Sequence, residues 1–154
     1  MRVVTEKTGR AFLRGDTKVS GNTQTDGKSL WLHGNKIAQK TDTLGVVMLS
    51  LAGWNTPTTR ERLNGVLDLM DIPCRYFQQQ FEPFIFTLDR NSNTRYRTEI
   101  ESGDWFIFVK DDPKHKYVYT EWFESDKQGN TTALVDTSYY KTKVQKQVEH
   151  LSNI

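Results

Sequence analysis

The chain has 154 residues, 36% hydrophobic and 26% charged, with a net charge of +2 and one cysteine, Cys74. A chain of this size can bury the core of one domain without cross-links, and a lone cysteine excludes an internal disulfide and fits a reducing cytoplasm. No apolar run approaches the roughly 18 residues that span a bilayer, and residues 1–10 lack the apolar core of a signal peptide, so a cytoplasmic protein without a membrane partner is expected.

Taken in order, residues 1–9 read as a frayed end, or as a short edge strand at 2–5. Residues 10–14 (RAFLR) and 18–25 read as a first pair of strands, with Gly15-Asp16 turning between them. Asp26-Gly27 is a second turn signal. Strands follow at 29–33, 37–40 and 44–52. Gly34-Asn35 is the expected turn between the first two, because both residues tolerate positive φ. Val46, Val47, Met48, Leu49 and Leu51 form a run continuous enough for a central strand buried on both faces. Gly53-Trp54-Asn55 stops it. Trp54 is expected to staple the chain's approach to the next helix; the other use of such a residue is as an exposed anchor for a partner.

That helix, over residues 57–70, is the best-marked element. Thr56-Pro57 is a cap followed by proline at the first helical position, and Thr58 with Glu61 has capping-box spacing. Leu63, Val66, Leu67 and Met70 recur as one apolar stripe, with Arg60 and Arg62 on its edges. Pro73 ends the segment. Strands resume at 74–81 and 84–88, interrupted by Glu82-Pro83, and 90–93 is a polar turn. Residues 95–100 alternate as a half-buried strand. Residues 104–110 (DWFIFVK) make the strongest strand of this half, closed by Asp111-Asp112-Pro113 and followed by a hairpin partner at 116–123. A loop at 125–130 and a last strand at 131–135 precede a helix from Ser138, where Tyr140, Val144, Val148 and Leu151 recur at helical spacing.

The sum is an α+β fold: antiparallel sheets with two helices in the order strands–helix–strands–helix. It forms a single domain over 1–154, or two half-units, 1–72 and 73–154, sharing a core. The element order is similar to that of Whirly-type and PUR-type folds, which carry single-stranded nucleic acid on curved sheets. The segments GNTQTDGKSLWLHGNKIA and SLAGWNTPTTRERLNGVL resemble a small domain that recurs among proteins of tailed bacteriophages. The resemblance covers roughly residues 21–66. It implies a viral origin and a host-cell setting, and it carries over no functional residues.

Catalytic chemistry finds no support. Cys74 has no histidine near it and reads as a small buried apolar residue. His33, His115 and His150 fall in three separate elements, without metal-ligand spacing. No glycine-rich phosphate loop is present. Neither an enzyme, a metal nor a cofactor is expected. The charge distribution says more than its total. Residues 1–40 hold eight Lys/Arg against three acids, while residues 99–136 hold four Lys against nine acids. One basic and one acidic face would follow if these stretches lie apart.

Basic residues interleave with aromatic ones in the first half. Strand alternation places Trp31 and His33 on one face, opposite Leu30 and Leu32. Trp31 and His33 could stack bases while Arg10, Arg14, Lys18, Lys36 and Lys40, with Arg60 and Arg62 of the helix, neutralise phosphates. The function expected is single-stranded nucleic-acid binding, RNA or DNA, without catalysis. The alternative is a small viral protein that binds and inhibits or redirects a host protein. Self-association into a homo-oligomer is compatible with either.

Overall fold

The computed structural model describes residues 1–41, 44–89, 94–110 and 119–121. The chain opens with a helix, α1 (Val3–Arg14), where the sequence predicts a frayed end or short edge strand over 1–9 and a strand at 10–14. The correction has a physical origin. The buried face of α1 is Thr5, Thr8, Gly9, Ala11 and Phe12, so its helical period is carried by threonine and small residues instead of large apolar ones. Glu6 and Arg10 pair across one turn at 3.2 Å. Gly15, at φ 84°, ends the helix in the left-handed conformation that glycine adopts without strain. The Asp16 N–H then donates to the Ala11 carbonyl at 2.8 Å.

Five strands follow: β1 (Lys18–Ser20), β2 (Thr23–Thr25), β3 (Ser29–Leu32), β4 (Asn35–Lys40) and β5 (Val46–Ser50), each antiparallel to the next. The β3–β4 hairpin turns on His33 (φ 51°) and Gly34 (φ 79°), one residue earlier than expected. Positive φ at both central positions matches the strand twist. Leu30 opposes Ala38 while Trp31 opposes Lys36, so Ile37 is the extra residue of a bulge, and both Ile37 and Ala38 reach the core.

The second helix, α2 (Pro57–Leu69), agrees with the sequence. Thr56 is its cap: its hydroxyl accepts the Thr59 N–H at 3.2 Å. Trp54 is 57% exposed, so it does not serve as the staple expected of it. A three-stranded antiparallel sheet comes next, from β6 (Cys74–Gln79), β7 (Glu82–Asp89) and β8 (Thr94–Glu99). Its first turn is Gln80-Phe81, and Glu82-Pro83, expected to interrupt the strands, lies inside β7. The Pro83 carbonyl accepts the Ile100 N–H, just past the end of β8, so the position without an N–H faces the end of β8 and takes no donor from the pairing with β6.

The chain then returns to the first sheet. β9 (Trp105–Val109) pairs with β5, and β10 (Tyr119–Glu121) pairs with β9, giving the order β1-β2-β3-β4-β5-β9-β10. Every residue of β5 and β9 is buried, as their continuous apolar runs predict. Among the described residues the fold is therefore α+β, with antiparallel sheets and two helices, and a helix comes first. The turns expected at 90–93 and 111–113, the strand at 131–135 and the helix from Ser138 lie outside the described residues.

One core joins these elements. Phe12 of α1, Leu63 and Leu67 of α2, Leu30 and Leu49 of the large sheet, Tyr76 and Ile85 of the small sheet, and Phe106 and Phe108 of β9 all belong to it. Asn64 extends α2 into the small sheet. Its side chain accepts the Tyr76 N–H at 2.7 Å and donates to the Tyr76 carbonyl at 2.9 Å. The helices meet at glycines. A Cβ on Gly9 would stand 2.8 Å from Leu69, and one on Gly65 would run into the Thr5 methyl. Gly65→Ala should therefore lower stability by about 1–3 kcal/mol through overpacking, against alanine's better helix propensity. Chemical denaturation measures it, and a more stable variant would show that α1 can shift freely.

Candidate functional site

The C-terminal ends of α1 and α2, the turn between β2 and β3, the body of β4 and the start of β5 surround a groove of about 1190 Å³. Lys28, Lys36, Lys40 and Lys110 all line it. They come from three separate places in the chain. Lys28 follows the Asp26-Gly27 turn, Lys36 and Lys40 lie on β4, and Lys110 follows β9, its N–H bonded to the Gly45 carbonyl at 2.7 Å. A glycine contact shapes one wall. A Cβ on Gly27 would lie 2.5 Å from the Gly15 backbone, so the turn can press this closely on the end of α1 only with glycine there.

Among the described lining residues Asp26 is the one carboxylate. Burial pushes its carboxyl up, but the N–H groups of Ser29 and Lys28 and the Lys28 charge outweigh this and hold it below its ordinary value. Its oxygen accepts both N–H groups at 2.8 Å, which shapes the turn that presents Lys28. The Lys40 ammonium lies 5.7 Å over the Phe12 ring and donates to the Leu13 carbonyl at 3.4 Å, where the helix dipole favours a cation. The Lys36 ammonium stands 5.9 Å from the Trp31 ring and donates to Gln39 at 3.3 Å. A half-buried indole thus lies beside one of the groove's lysines, outside the groove's own lining and opposite the face that carries Leu30 and Leu32.

Of the set expected to bind, the structure brings Lys36 and Lys40 to the groove, with Trp31 beside Lys36, and leaves the others elsewhere. Arg10 pairs with Glu6 on exposed α1, and Arg14 pairs with Asp16 at 3.1 Å. Lys18 is exposed on the edge strand β1. His33 sits in the β3–β4 turn, its Nε2 3.4 Å from the Asn22 amide nitrogen. Arg60 donates to Asn55 at 2.6 Å and to Gln78 at 3.2 Å, near the other end of α2.

Arg62 is a correction. It is 3% exposed and spends its guanidinium inside the protein. Nε donates to Thr23 at 2.9 Å, one terminal nitrogen to Thr5 at 2.8 Å and Glu61 at 2.7 Å, and the other to Asn22 at 3.3 Å. Such a group ties α1, α2 and β2 together and cannot meet a phosphate. Apart from the adjacent Glu61, its partners lie about forty and fifty-seven residues away in sequence, so no local pattern marks its burial. Lys28 and Lys110 were missed for a similar reason. Only the turn before Lys28 and the β5–β9 pairing beside Lys110 bring them to the groove.

Cys74 is buried, with its sulfur 3.6 Å from the Thr87 hydroxyl, and burial pushes its thiol up to about 12. It does not form a thiolate at neutral pH. No helix among the described residues is long and apolar enough to cross a membrane.

A family model described as Kyanoviridae Gp96 protein matches residues 1–133. No curated protein and no solved structure matches the chain, so the likeness to Whirly-type and PUR-type folds gains no support from a known structure. The family match extends over the whole described first half, its lysine-lined groove included, and well beyond residues 21–66. The chain belongs to the Kyanoviridae Gp96 protein family, a family of bacteriophage proteins.

Proposed function

We propose that the chain is a non-catalytic phage protein that binds single-stranded nucleic acid, RNA or DNA, in the host cytoplasm. The observation that supports it is the convergence of Lys28, Lys36, Lys40 and Lys110 on one groove with a single carboxylate among its described residues. A surface of this kind attracts a phosphate backbone, because each neutralised phosphate releases condensed counterions. Trp31 beside Lys36 supplies a ring on which a base can stack, and stacking needs the base unpaired.

Titration of a labelled oligonucleotide into Lys28→Gln and Lys110→Gln tests the groove. Each substitution should weaken binding for every sequence and lessen the log–log salt slope by about 0.7. Trp31→Ala should instead cost about 1–3 kcal/mol of affinity with the salt slope kept, provided circular dichroism shows the variant folded. Unchanged binding in the two lysine variants, with a loss in Arg10→Gln or Arg14→Gln, would move the site away from the groove.

A further inference from the structure

We propose a second interaction surface, at the opposite end of α2 from the lysine groove: Trp54 and Phe81 are anchors for a protein partner that presents a basic amphipathic segment. It goes beyond nucleic-acid binding and uses none of the groove residues. Trp54 is 57% exposed and Phe81 87% exposed, two large rings in adjoining loops. Exposed aromatic residues of this size are the type that dominates binding at interface hot spots.

The loops that carry them are held in place. Asn55, next to Trp54, donates to the Phe81 carbonyl at 3.4 Å and to Gln78 at 3.2 Å. Arg60 clamps the same two groups, donating to Asn55 at 2.6 Å and Gln78 at 3.2 Å. The Gly53 N–H donates to the Ser102 carbonyl at 2.8 Å, which joins the turn at 101–104 to the cluster. Phe81 itself is at φ 65°, after Gln80 at φ 52°. Such a conformation is strained for a bulky side chain, and glycine or asparagine would fit it better. A strained, outward-facing phenylalanine is a cost to folding that a binding role explains.

Charge selects the occupant. Glu82 directly follows Phe81, and Glu101 and Asp104 lie in the turn that meets Gly53, while of the nearby cations Arg60 is engaged within the clamp and Arg97 donates to Gln79 at 2.6 Å and lies over the Phe84 ring. A phosphate backbone would meet three carboxylates here. A segment with an apolar face and lysine or arginine at its rim would cover both rings and pair with the acids.

The test uses the whole chain and a short amphipathic Leu/Lys peptide, with its Leu/Glu counterpart and oligothymidylate as controls. The Trp54 indole resonance, identified by its loss in Trp54→Phe, should move with the Leu/Lys peptide and stay still with both controls. Phe81→Gly should weaken the peptide at least about tenfold while its melting midpoint holds or rises, since glycine relieves the positive φ. Lys28→Gln should leave peptide binding as it is, so failure here and failure of the groove are separate results. An unmoved indole, an equal response to the Leu/Glu peptide, or normal binding by Phe81→Gly would overturn the proposal. A Trp54 shift with oligothymidylate would assign the rings to nucleic acid, and Trp54-dependent dimers in sedimentation would assign them to self-association; either result overturns it too.

Discussion

Replacing Arg62 with alanine should cost about 3–5 kcal/mol of folding stability, the size expected when one partner leaves a buried ion pair. The guanidinium pairs with Glu61 at 2.7 Å and also serves Thr5, Thr23 and Asn22. Its removal leaves the buried Thr23 and Thr5 hydroxyls short of a donor and takes a partner from the half-buried Glu61 carboxylate. Glu61 further accepts the Thr5 hydroxyl and the Arg2 N–H, so the start of α1 hangs on the same carboxylate. Urea denaturation should show a lower midpoint at an unchanged slope. A loss below about 1 kcal/mol, the range of exposed pairs, would mean that the guanidinium is hydrated and open to a ligand after all.

The same cluster sets an acid dependence. Burial raises the Glu61 carboxyl, but the Thr5 hydroxyl, the Arg2 N–H and the Arg62 guanidinium outweigh it and hold the group below its ordinary 4.5. A carboxyl depressed in the folded state contributes stability that is fully present above its unfolded value and is lost as pH falls through the folded one. The window therefore lies below pH 4.5. The Arg62→Ala protein should lose part of that acid sensitivity together with its stability.

Phe12→Ala should be as damaging, at about 3–5 kcal/mol, because it deletes a whole aromatic side chain from a closed site. Phe12 is fully buried, it lies in the core with Leu63 and Phe106, and it underlies the Lys40 ammonium. The thermal midpoint measures the loss. A small change would contradict the helix over 3–14, since the strand reading of RAFLR places Phe12 differently. The groove should also suffer, because Lys40 and the end of α1 lose the ring that supports them.

The parts of the fold legible in the sequence are those whose signal is local. Thr56-Pro57 and the Leu63–Leu67 stripe mark α2 without reference to anything else. The β3–β4 hairpin shows through Gly34, displaced by one residue because His33 accepts φ 51°. Continuous apolar runs announce β5 as a strand buried on both faces and β9 as the strongest strand of its half. Their pairing is not legible, since α2 and the small sheet separate them in the chain. The first helix is hidden for another reason: Thr5, Thr8 and Gly9 face its neighbours, and β-branched or glycine residues do not announce a helix. Gly15 and the Glu6–Arg10 spacing were the available clues.

The candidate site divides in the same way. Lys36, Lys40 and Trp31 share a hairpin, so local alternation could group them. Lys28 and Lys110 join them only through the tertiary fold. Arg62 and Lys36 look equally basic in sequence, yet one is an internal tie and the other lines an open groove. Burial decides between them, and burial depends on partners that lie far off in the chain.

The proposed role requires the groove to hold a single-stranded polyanion through its lysines. Fluorescence anisotropy of labelled oligothymidylate and oligouridylate with the unaltered chain, across a series of salt concentrations, tests it most directly. Binding should be measurable at low salt and fall linearly on a log–log plot, with a slope of about −2.8 if all four lysines meet phosphates. No binding to either strand at low salt, or an affinity indifferent to salt, would contradict it.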